Sequence, residues 1–220
     1  IFPESNKHRL SIQYRMHPTI GTLISHVFYN DEIQNGVEAQ DRELYIEGYE
    51  GIAIEWISTS KCSTKERYER VFENNGKKSY QNYLERNIIE KKLLELDSKL
   101  TQKKKVAVIT GYGPQKYIIQ TMVKQHSFKN LEIDVDTVDA FQGSQKDIIL
   151  YSTVRSSANK YGIGFLKSEA RINVAFSRAR CLLIIVGDIS FLDNYKIRGN
   201  KFPEIIKYIE ESEGCRIIEK

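Results

Sequence analysis

The sequence has 220 residues, of which 40% are hydrophobic and 28% charged, so it can bury the core of one large domain. A disordered or fibrous chain is therefore excluded. Lys and Arg total 33 against 29 acidic residues, and the resulting net charge of +4 permits a polyanionic partner without requiring one.

The cysteines and the lack of long apolar runs indicate the compartment. Cys62, Cys181 and Cys215 are far apart and fit no disulfide framework or zinc spacing, which predicts a reducing compartment, cytoplasmic or, in a eukaryote, nuclear. No apolar run approaches the roughly 18 residues that span a bilayer, so we expect no membrane partner. Because the first residue is Ile1 rather than Met, we expect a fragment of a longer protein.

Short apolar runs alternate with helix-like stretches along the chain, which predicts an α/β fold with a mainly parallel sheet flanked by helices. Helices are predicted over residues 18–28, 80–100, 114–126, 169–177 and 203–213. Strands are predicted over residues 51–57, 105–110, 133–138, 147–154 and 181–187. The nearly continuous apolar runs at 106–109 and 182–186 predict the central strands. The polar residues 58–79 predict a mobile loop.

A P-loop is missing from the sequence. The pattern G-x-x-x-x-G-K-[ST] is needed because backbone N–H groups hold the phosphates while the hydroxyl binds magnesium. The nearest string, residues 71–78, lacks the first Gly and has Lys78 in place of the hydroxyl. The acidic pair Asp31 and Glu32 follows a predicted helix instead of ending a strand, which is not typical of a magnesium site.

The first of three polar clusters is the hexapeptide from Gln13 to Pro18, directly before a helix that opens with Pro. Tyr14 and Arg15 can stack on a flat base and reach an anion. Taken alone, the same residues also fit a core Tyr beside a solvated Arg.

The second cluster, residues 137–143, follows a predicted strand and precedes the next one. Ligands of open α/β sheets bind at the carboxyl ends of strands, and Gly143 would let the backbone approach a ligand there. An ordinary turn after a strand explains this pattern equally well.

The third cluster, residues 171–180, is interpreted as a helix that ends before an apolar strand. Arg171 and Arg178 are seven residues apart, which predicts that they share one helical face. Arg180 fits a solvated surface position as well as a functional one.

In order and spacing, these clusters resemble helicase motifs IV, V and VI of superfamily 1B, the Upf1-like and senataxin-like group. Gln13 to Pro18 matches Q-Y-R-M-H-P, residues 137–143 resemble T-V-D-x-F-Q-G, and residues 171–180 resemble R-x-N-V-A-x-[ST]-R-A-R. Residues 108–115 are similar to that group's I-T-P-Y-x-x-Q segment. Four motifs in this order are highly specific, and they cover most of the chain.

This resemblance implies the second, C-terminal RecA-like domain of a helicase, a P-loop NTPase fold without its own P-loop. ATP would bind between this domain and an N-terminal RecA-like domain of the same parent chain, which would supply the P-loop and hold Mg²⁺. Arg15 and Arg178 would act as catalytic arginine fingers. The expected nucleotide-binding residues are Gln13, Tyr14, Gly143 and Gln145, the last standing where the family commonly has Glu.

The resemblance also implies a path for single-stranded DNA or RNA across the sheet. The positions that match the family's nucleic-acid contacts are Thr110, Tyr112, Gln115 and Thr137. These residues are suited to contact a strand without reading its base sequence. Two departures from the family pattern are Gly111 in place of Pro and Ala170 in place of the first Arg of motif VI. The alternative function is a non-enzymatic nucleic-acid-binding module derived from a helicase.

Overall fold

The computed structural model describes residues 11–74, 76–141, 143–158 and 162–220. Its strands are β1 (Ile12–Gln13), β2 (Gln34–Asn35), β3 (Ile54–Ser58), β4 (Arg70–Asn74), β5 (Lys77–Gln81), β6 (Lys104–Thr110), β7 (Leu131–Thr137), β8 (Lys146–Ser152), β9 (Ala179–Gly187) and β10 (Cys215–Glu219). Its helices are α1 (Pro18–Tyr29), α2 (Thr64–Arg67), α3 (Tyr83–Lys99), α4 (Gly113–Val123), α5 (Glu169–Phe176), α6 (Ile189–Leu192) and α7 (Phe202–Glu211). In these ranges, no helix is both long and apolar enough to cross a membrane.

The main sheet confirms the predicted fold class. It has six strands in the order β10-β3-β9-β8-β6-β7, and every neighbouring pair is parallel. All five predicted strands are present, while the half-buried edge strand β10 was not predicted. The apolar run in β9 lies at the centre as expected, whereas β6 is an interior strand next to the edge strand β7.

Helices cover both faces of this sheet, because consecutive strand residues point to opposite sides. On one face, α1, α5 and α7 pack over a core that includes Trp56, Tyr151 and Phe176. On the other face, α3 and α4 pack over a core that includes Leu93 and Ile184. The sheet is therefore buried on both sides, as its apolar strands predict.

The prediction of a loop over residues 58–79 is wrong. This segment contains α2 and most of an antiparallel hairpin, β4 and β5, whose turn includes Gly76 with a φ of 73°. The hairpin was missed because its residues are largely polar or exposed, so the apolar alternation that marks a half-buried strand is weak. The following helix begins at Tyr83 rather than at residue 80, and the Asn82 side chain accepts a hydrogen bond from the Glu85 N–H.

The prediction that Arg171 and Arg178 share a helical face is also wrong. Helix α5 ends at Phe176, and Arg178 lies in the turn that leads into β9. Strand β9 begins at Ala179, so Arg180 is a strand residue. The two arginines consequently contact different parts of the molecule.

Candidate functional site

The polar clusters lie at two opposite edges of the parallel sheet, one holding the strand amino ends and the other the carboxyl ends. We call these the amino edge and the carboxyl edge. The His17 N–H donates to the Arg180 carbonyl at 2.7 Å, which places the first cluster at the amino end of β9. Thr110 and Thr137 end β6 and β7 at the carboxyl edge.

At the amino edge, the Gln13 side chain fixes the turn before α1. Its Oε1 accepts from the N–H groups of Arg15 at 2.9 Å and Met16 at 2.8 Å, and its Nε2 donates to the Asn35 Oδ1 at 2.7 Å. The Gln13 amide is thus engaged in the turn rather than presented to a ligand. Tyr14 and Arg15 project outward from it, and the Tyr14 ring is 64% exposed.

Arg42, which the sequence did not single out, clamps the same turn from outside. Its Nε donates to the Arg15 carbonyl at 2.9 Å, and its Nη2 donates to the Tyr14 carbonyl at 2.8 Å. A third bond reaches the Asp41 carbonyl at 2.9 Å. Since a guanidinium offers a rigid fork of donors, these bonds fix the backbone that carries Tyr14 and Arg15.

The structure brings Arg15 and Arg178 together. Arg15 Nη1 donates to the Ser177 carbonyl at 3.2 Å, while Arg178 Nε donates to the Val174 carbonyl at 3.0 Å. Burial and the nearby positive charge of Arg15 both lower the pKa of Arg178. Among the residues that the structure describes, neither arginine forms an ion pair with a carboxylate. Two adjacent cations without an anion are suited to a polyanionic ligand such as a triphosphate.

The second cluster connects the two edges. It leaves the carboxyl edge at Thr137, and it reaches the amino edge where the Lys146 N–H donates to the Arg178 carbonyl at 3.1 Å. Gly143, with a φ of 89°, and Gln145 are exposed at the amino edge near Arg178, whose Nη1 donates to the Ser144 carbonyl at 3.4 Å. The expectation that Gly143 lies at the carboxyl end of a strand is therefore corrected. Gln142 is outside the described residues.

The remaining arginines of the third cluster are held by carboxylates. Arg171 pairs with Asp139 through two hydrogen bonds of 2.9 and 3.0 Å, and its guanidinium lies 4.5 Å from the centroid of the Phe165 ring. Arg180 Nη1 lies 3.1 Å from an Asp147 oxygen. Of the three, Arg178 alone has no carboxylate partner among the described residues.

At the carboxyl edge, three of the four predicted nucleic-acid contacts are buried. The Gln115 Oε1 accepts from the Asn82 N–H at 2.7 Å, and its Nε2 donates to the Ser152 Oγ at 3.0 Å. This buried amide cannot also contact a bound strand, so its side chain has a structural role instead of the predicted one. Thr110 is fully buried, and its Oγ1 has no partner among the described residues. Thr137 is half-buried and remains accessible.

Tyr112 is also buried, within an aromatic and cationic cluster. Its ring lies 5.5 Å from that of Tyr80 and 5.9 Å from that of Phe165. The Arg155 guanidinium lies 4.1 Å from the Tyr80 centroid, and its Nε contacts Glu69 at 3.2 Å. Arg155 and Glu69 were missed because their partners are distant in the sequence.

The departure at Gly111 has a steric cause. A β-carbon at this position would lie 2.3 Å from the Phe165 ring, closer than packed atoms tolerate. The Phe165 ring would therefore have to move to admit the Pro that the family pattern has here.

A buried carboxylate beneath the carboxyl edge was likewise missed. The Glu85 carboxylate accepts from the Ser152 hydroxyl at 2.6 Å, the Thr153 hydroxyl at 3.1 Å and the Val154 N–H at 2.9 Å. Burial raises the pKa of Glu85 to about 8. Val154 has a φ of 70°, which is strained for a β-branched residue, and these bonds hold it there.

Comparisons with known proteins show the family to which the chain belongs. The model of the AAA domain family matches residues 3–190. Regulator of nonsense transcripts 1 of Caenorhabditis elegans is 33% identical over 215 residues, which cover 93% of this chain and 19% of that protein. Helicase sen1 of Schizosaccharomyces pombe is 32% identical over 222 residues, covering 93% of this chain and 12% of that protein.

The mouse protein 5'-3' DNA helicase ZGRF1 is 31% identical over 193 residues, covering 86% of this chain and 10% of that protein. The chain spans 19% or less of the length of these three relatives. It belongs to the AAA domain family, in which it is a C-terminal domain of the Upf1-like superfamily 1B helicases.

Proposed function

We propose that this chain is the second RecA-like motor domain of an ATP-dependent helicase that acts on DNA or RNA. It completes an ATP site shared with an N-terminal RecA-like domain of the same longer protein, which supplies the P-loop and holds Mg²⁺. The observation that carries the proposal is the pair of guanidinium groups, Arg15 and Arg178, side by side without a carboxylate among the described residues.

The two arginines stabilise the charge that develops on the γ-phosphate during hydrolysis. Phosphoryl transfer depends on positioning and on electrostatic stabilisation, and guanidinium forks match phosphate oxygens. Here the Arg42 clamp and the carbonyls of Ser177 and Val174 fix both groups before a ligand arrives. Mg²⁺ held by the other domain would neutralise part of the phosphate charge.

Around this pair, the exposed Tyr14 ring stacks on the base of the nucleotide. The exposed backbone at Gly143 and the Gln145 side chain lie near the sugar, where the Gln145 amide can hydrogen-bond a hydroxyl. Gln13 contributes by fixing the turn, rather than by contacting the nucleotide.

Single-stranded nucleic acid binds at the carboxyl edge, through Thr137 and the backbone at the ends of β6 and β7. The segment from Thr137 to Lys146 then joins the strand-binding edge to the arginine pair, so closure around ATP shifts the bound strand. Thr110 and Tyr112 support this edge from below its surface.

The test is steady-state ATPase of the full-length protein at saturating single-stranded nucleic acid. Arg15→Ala and Arg178→Ala should each lower kcat by more than about tenfold, since arginine fingers are worth roughly 10³ to 10⁵ in rate. Arg180→Ala is the matched control, because Asp147 already pairs with Arg180, and it should retain near-normal kcat. Near-normal kcat in both Arg15 and Arg178 variants would refute the proposal.

A second measurement checks the shared site. The isolated 220-residue chain should show no nucleic-acid-stimulated ATP hydrolysis, because its sequence has no P-loop. Turnover by a contaminant-free preparation would show that the chain does not need a second domain.

A further inference from the structure

Exposed apolar side chains are concentrated at the β4–β5 hairpin. Nine large apolar side chains are exposed in the described residues, and three of them, Val71, Phe72 and Tyr83, lie on the hairpin or directly after it. Such concentrations mark interaction sites more often than isolated exposed residues do.

One face of the hairpin combines these aromatic rings with a cation. Arg70 and Phe72 are two residues apart in β4, so their side chains point to the same side. The Arg70 guanidinium lies 4.9 Å from the centroid of the Tyr83 ring, and Gln81 donates to the Tyr83 hydroxyl at 3.4 Å. We call Arg70, Phe72 and Tyr83 the outer hairpin face. Arg70 has no carboxylate partner in the part of the chain that the structure describes.

An open cavity of about 500 Å³ adjoins this face, and it is lined by residues that include Lys65, Tyr68, Arg70 and Tyr83. The stretch 61–83 contains six Lys and Arg against three Glu, so it holds most of the net charge of +4. Glu69 is already paired with Arg155 and Arg67 with Asp188, so five Lys and Arg residues of this stretch remain against two Glu, one of which, Glu66, also lines the cavity. The local charge therefore favours an anionic partner.

The opposite face anchors the hairpin at the carboxyl edge. Tyr80 lies on that side, where its ring contacts Tyr112 and is covered by the Arg155 guanidinium. The outer hairpin face is thus connected through Tyr80 and Tyr112 to the edge at which the half-buried Thr137 is accessible. A strand that passes over that edge can continue onto the hairpin.

We propose that the outer hairpin face is a second binding surface for single-stranded nucleic acid. Bases stack on Phe72 and Tyr83, and phosphates contact Arg70 and Lys65. Aromatic stacking and phosphate contacts together bind single strands without sequence preference. This inference rests on the proposed function, because it extends the nucleic-acid path of the carboxyl edge.

Fluorescence anisotropy of the 220-residue chain with labelled oligothymidylates of about 6 and about 20 nucleotides tests it. Phe72→Ala and Tyr83→Ala should each weaken binding of the longer oligonucleotide at least about fivefold, the effect of losing one stacked base. Arg70→Gln should reduce the slope of log affinity against log salt by about 0.7, the value of one phosphate contact on a single strand. The shorter oligonucleotide should lose less affinity.

Tyr45→Ala is the matched control, since Tyr45 is 88% exposed but lies outside the hairpin, in the segment before β3. The affinity of this variant for the oligonucleotides should equal that of the wild type, and all variants should keep the wild-type melting temperature because the mutated side chains are exposed.

Unchanged binding in the three hairpin variants would overturn this inference and leave the proposed function intact. A wild-type chain that binds no oligonucleotide would overturn this inference together with the nucleic-acid path at the carboxyl edge, while the arginine pair would still be decided by the ATPase measurement. Cross-linking of bromouracil oligonucleotides to residues 70–83 would support the hairpin contact directly, whereas cross-links confined to other segments would overturn it.

Discussion

The amino and carboxyl edges of the sheet differ in whether they hold charged side chains without a partner of opposite charge. At the amino edge, Arg15 and Arg178 lie together without a carboxylate among the described residues, fixed only by neutral carbonyl groups. At the carboxyl edge, the carboxyl group of Glu85 is buried among hydroxyl and backbone donors, and its raised pKa favours the uncharged form, while Gln115 is fully hydrogen-bonded inside the domain. Stabilising a transition state requires charge held ready for a ligand, whereas supporting a strand requires a rigid backbone beneath it.

The two edges also differ in the conditions under which their side chains destabilise the fold. Placing two guanidinium groups together is unfavourable without an anion, so the amino edge is less stable alone than with phosphate bound. The buried network of Glu85 becomes unfavourable when a partner is lost, because each donor is then left unsatisfied. Mutations at the amino edge should therefore change turnover, whereas mutations at the carboxyl edge should change the stability of the fold.

The largest expected effect on stability is at Glu85. In Glu85→Ala the Ser152 and Thr153 hydroxyls and the Val154 N–H lose their acceptor. Unsatisfied buried groups cost about 1 to 3 kcal/mol each, so we expect the free energy of unfolding to fall by roughly 3 kcal/mol in urea denaturation. The control is Glu95→Ala on the same helix, whose partly exposed ion pairs with Lys92 and Lys99 contribute less than about 1 kcal/mol. Equal losses in the two variants would show that the buried network has no special role.

The Arg42 clamp gives the next effect, on turnover at the amino edge. Arg42→Ala releases the Tyr14 and Arg15 carbonyls, and the displaced Arg15 should lower kcat about tenfold in the full-length protein. Affinity for single-stranded nucleic acid should not change. The double variant with Arg15→Ala should be no slower than Arg15→Ala alone, because Arg42 acts through Arg15. Arg86→Ala, which removes an ion pair on α3, is the control, and additive losses in the double variant would exclude this positioning role.

Stability should also depend on pH through Glu85. Burial raises the pKa of Glu85 to about 8, so between about pH 5 and 8 the folded chain keeps a proton that the unfolded chain has lost. The contribution of Glu85 is complete at the acidic end and decreases as pH rises through this window. We expect wild-type stability to fall by more than about 1 kcal/mol relative to Glu85→Gln over this range, since one pKa unit corresponds to about 1.4 kcal/mol. Parallel stability curves for the two proteins would contradict the assignment.

The strands of the sheet could be predicted where their own residues form a clear apolar pattern. The runs at 106–109 and 182–186 are apolar because both faces of β6 and β9 are buried, and the motif order identified the family without any contact information. By contrast, β10 is a half-buried edge strand with one neighbour, and the hairpin exposes much of its surface, so neither has a strong pattern.

The site was predictable in composition but not in geometry. The sequence predicted Arg15 and Arg178 as site residues, and the structure brings them together, but it also predicted a shared helical face for Arg171 and Arg178 because it did not show that α5 stops at Phe176. The burial of Gln115 depends on Asn82, which is 33 positions away, and the clamp on Arg15 comes from Arg42 across 27 positions. Such contacts are set by tertiary packing, which local patterns do not encode.

The central claim is that Arg15 and Arg178 act mainly on the transition state. The direct measurement is titration of the full-length protein with ADP–aluminium fluoride, a mimic of the transferring phosphoryl group, alongside ADP. Arg15→Ala and Arg178→Ala should each lose more than about tenfold in affinity for the mimic while their affinity for ADP changes little. If both ligands lose affinity equally, or neither does, the arginine pair does not stabilise the transition state and the account is wrong.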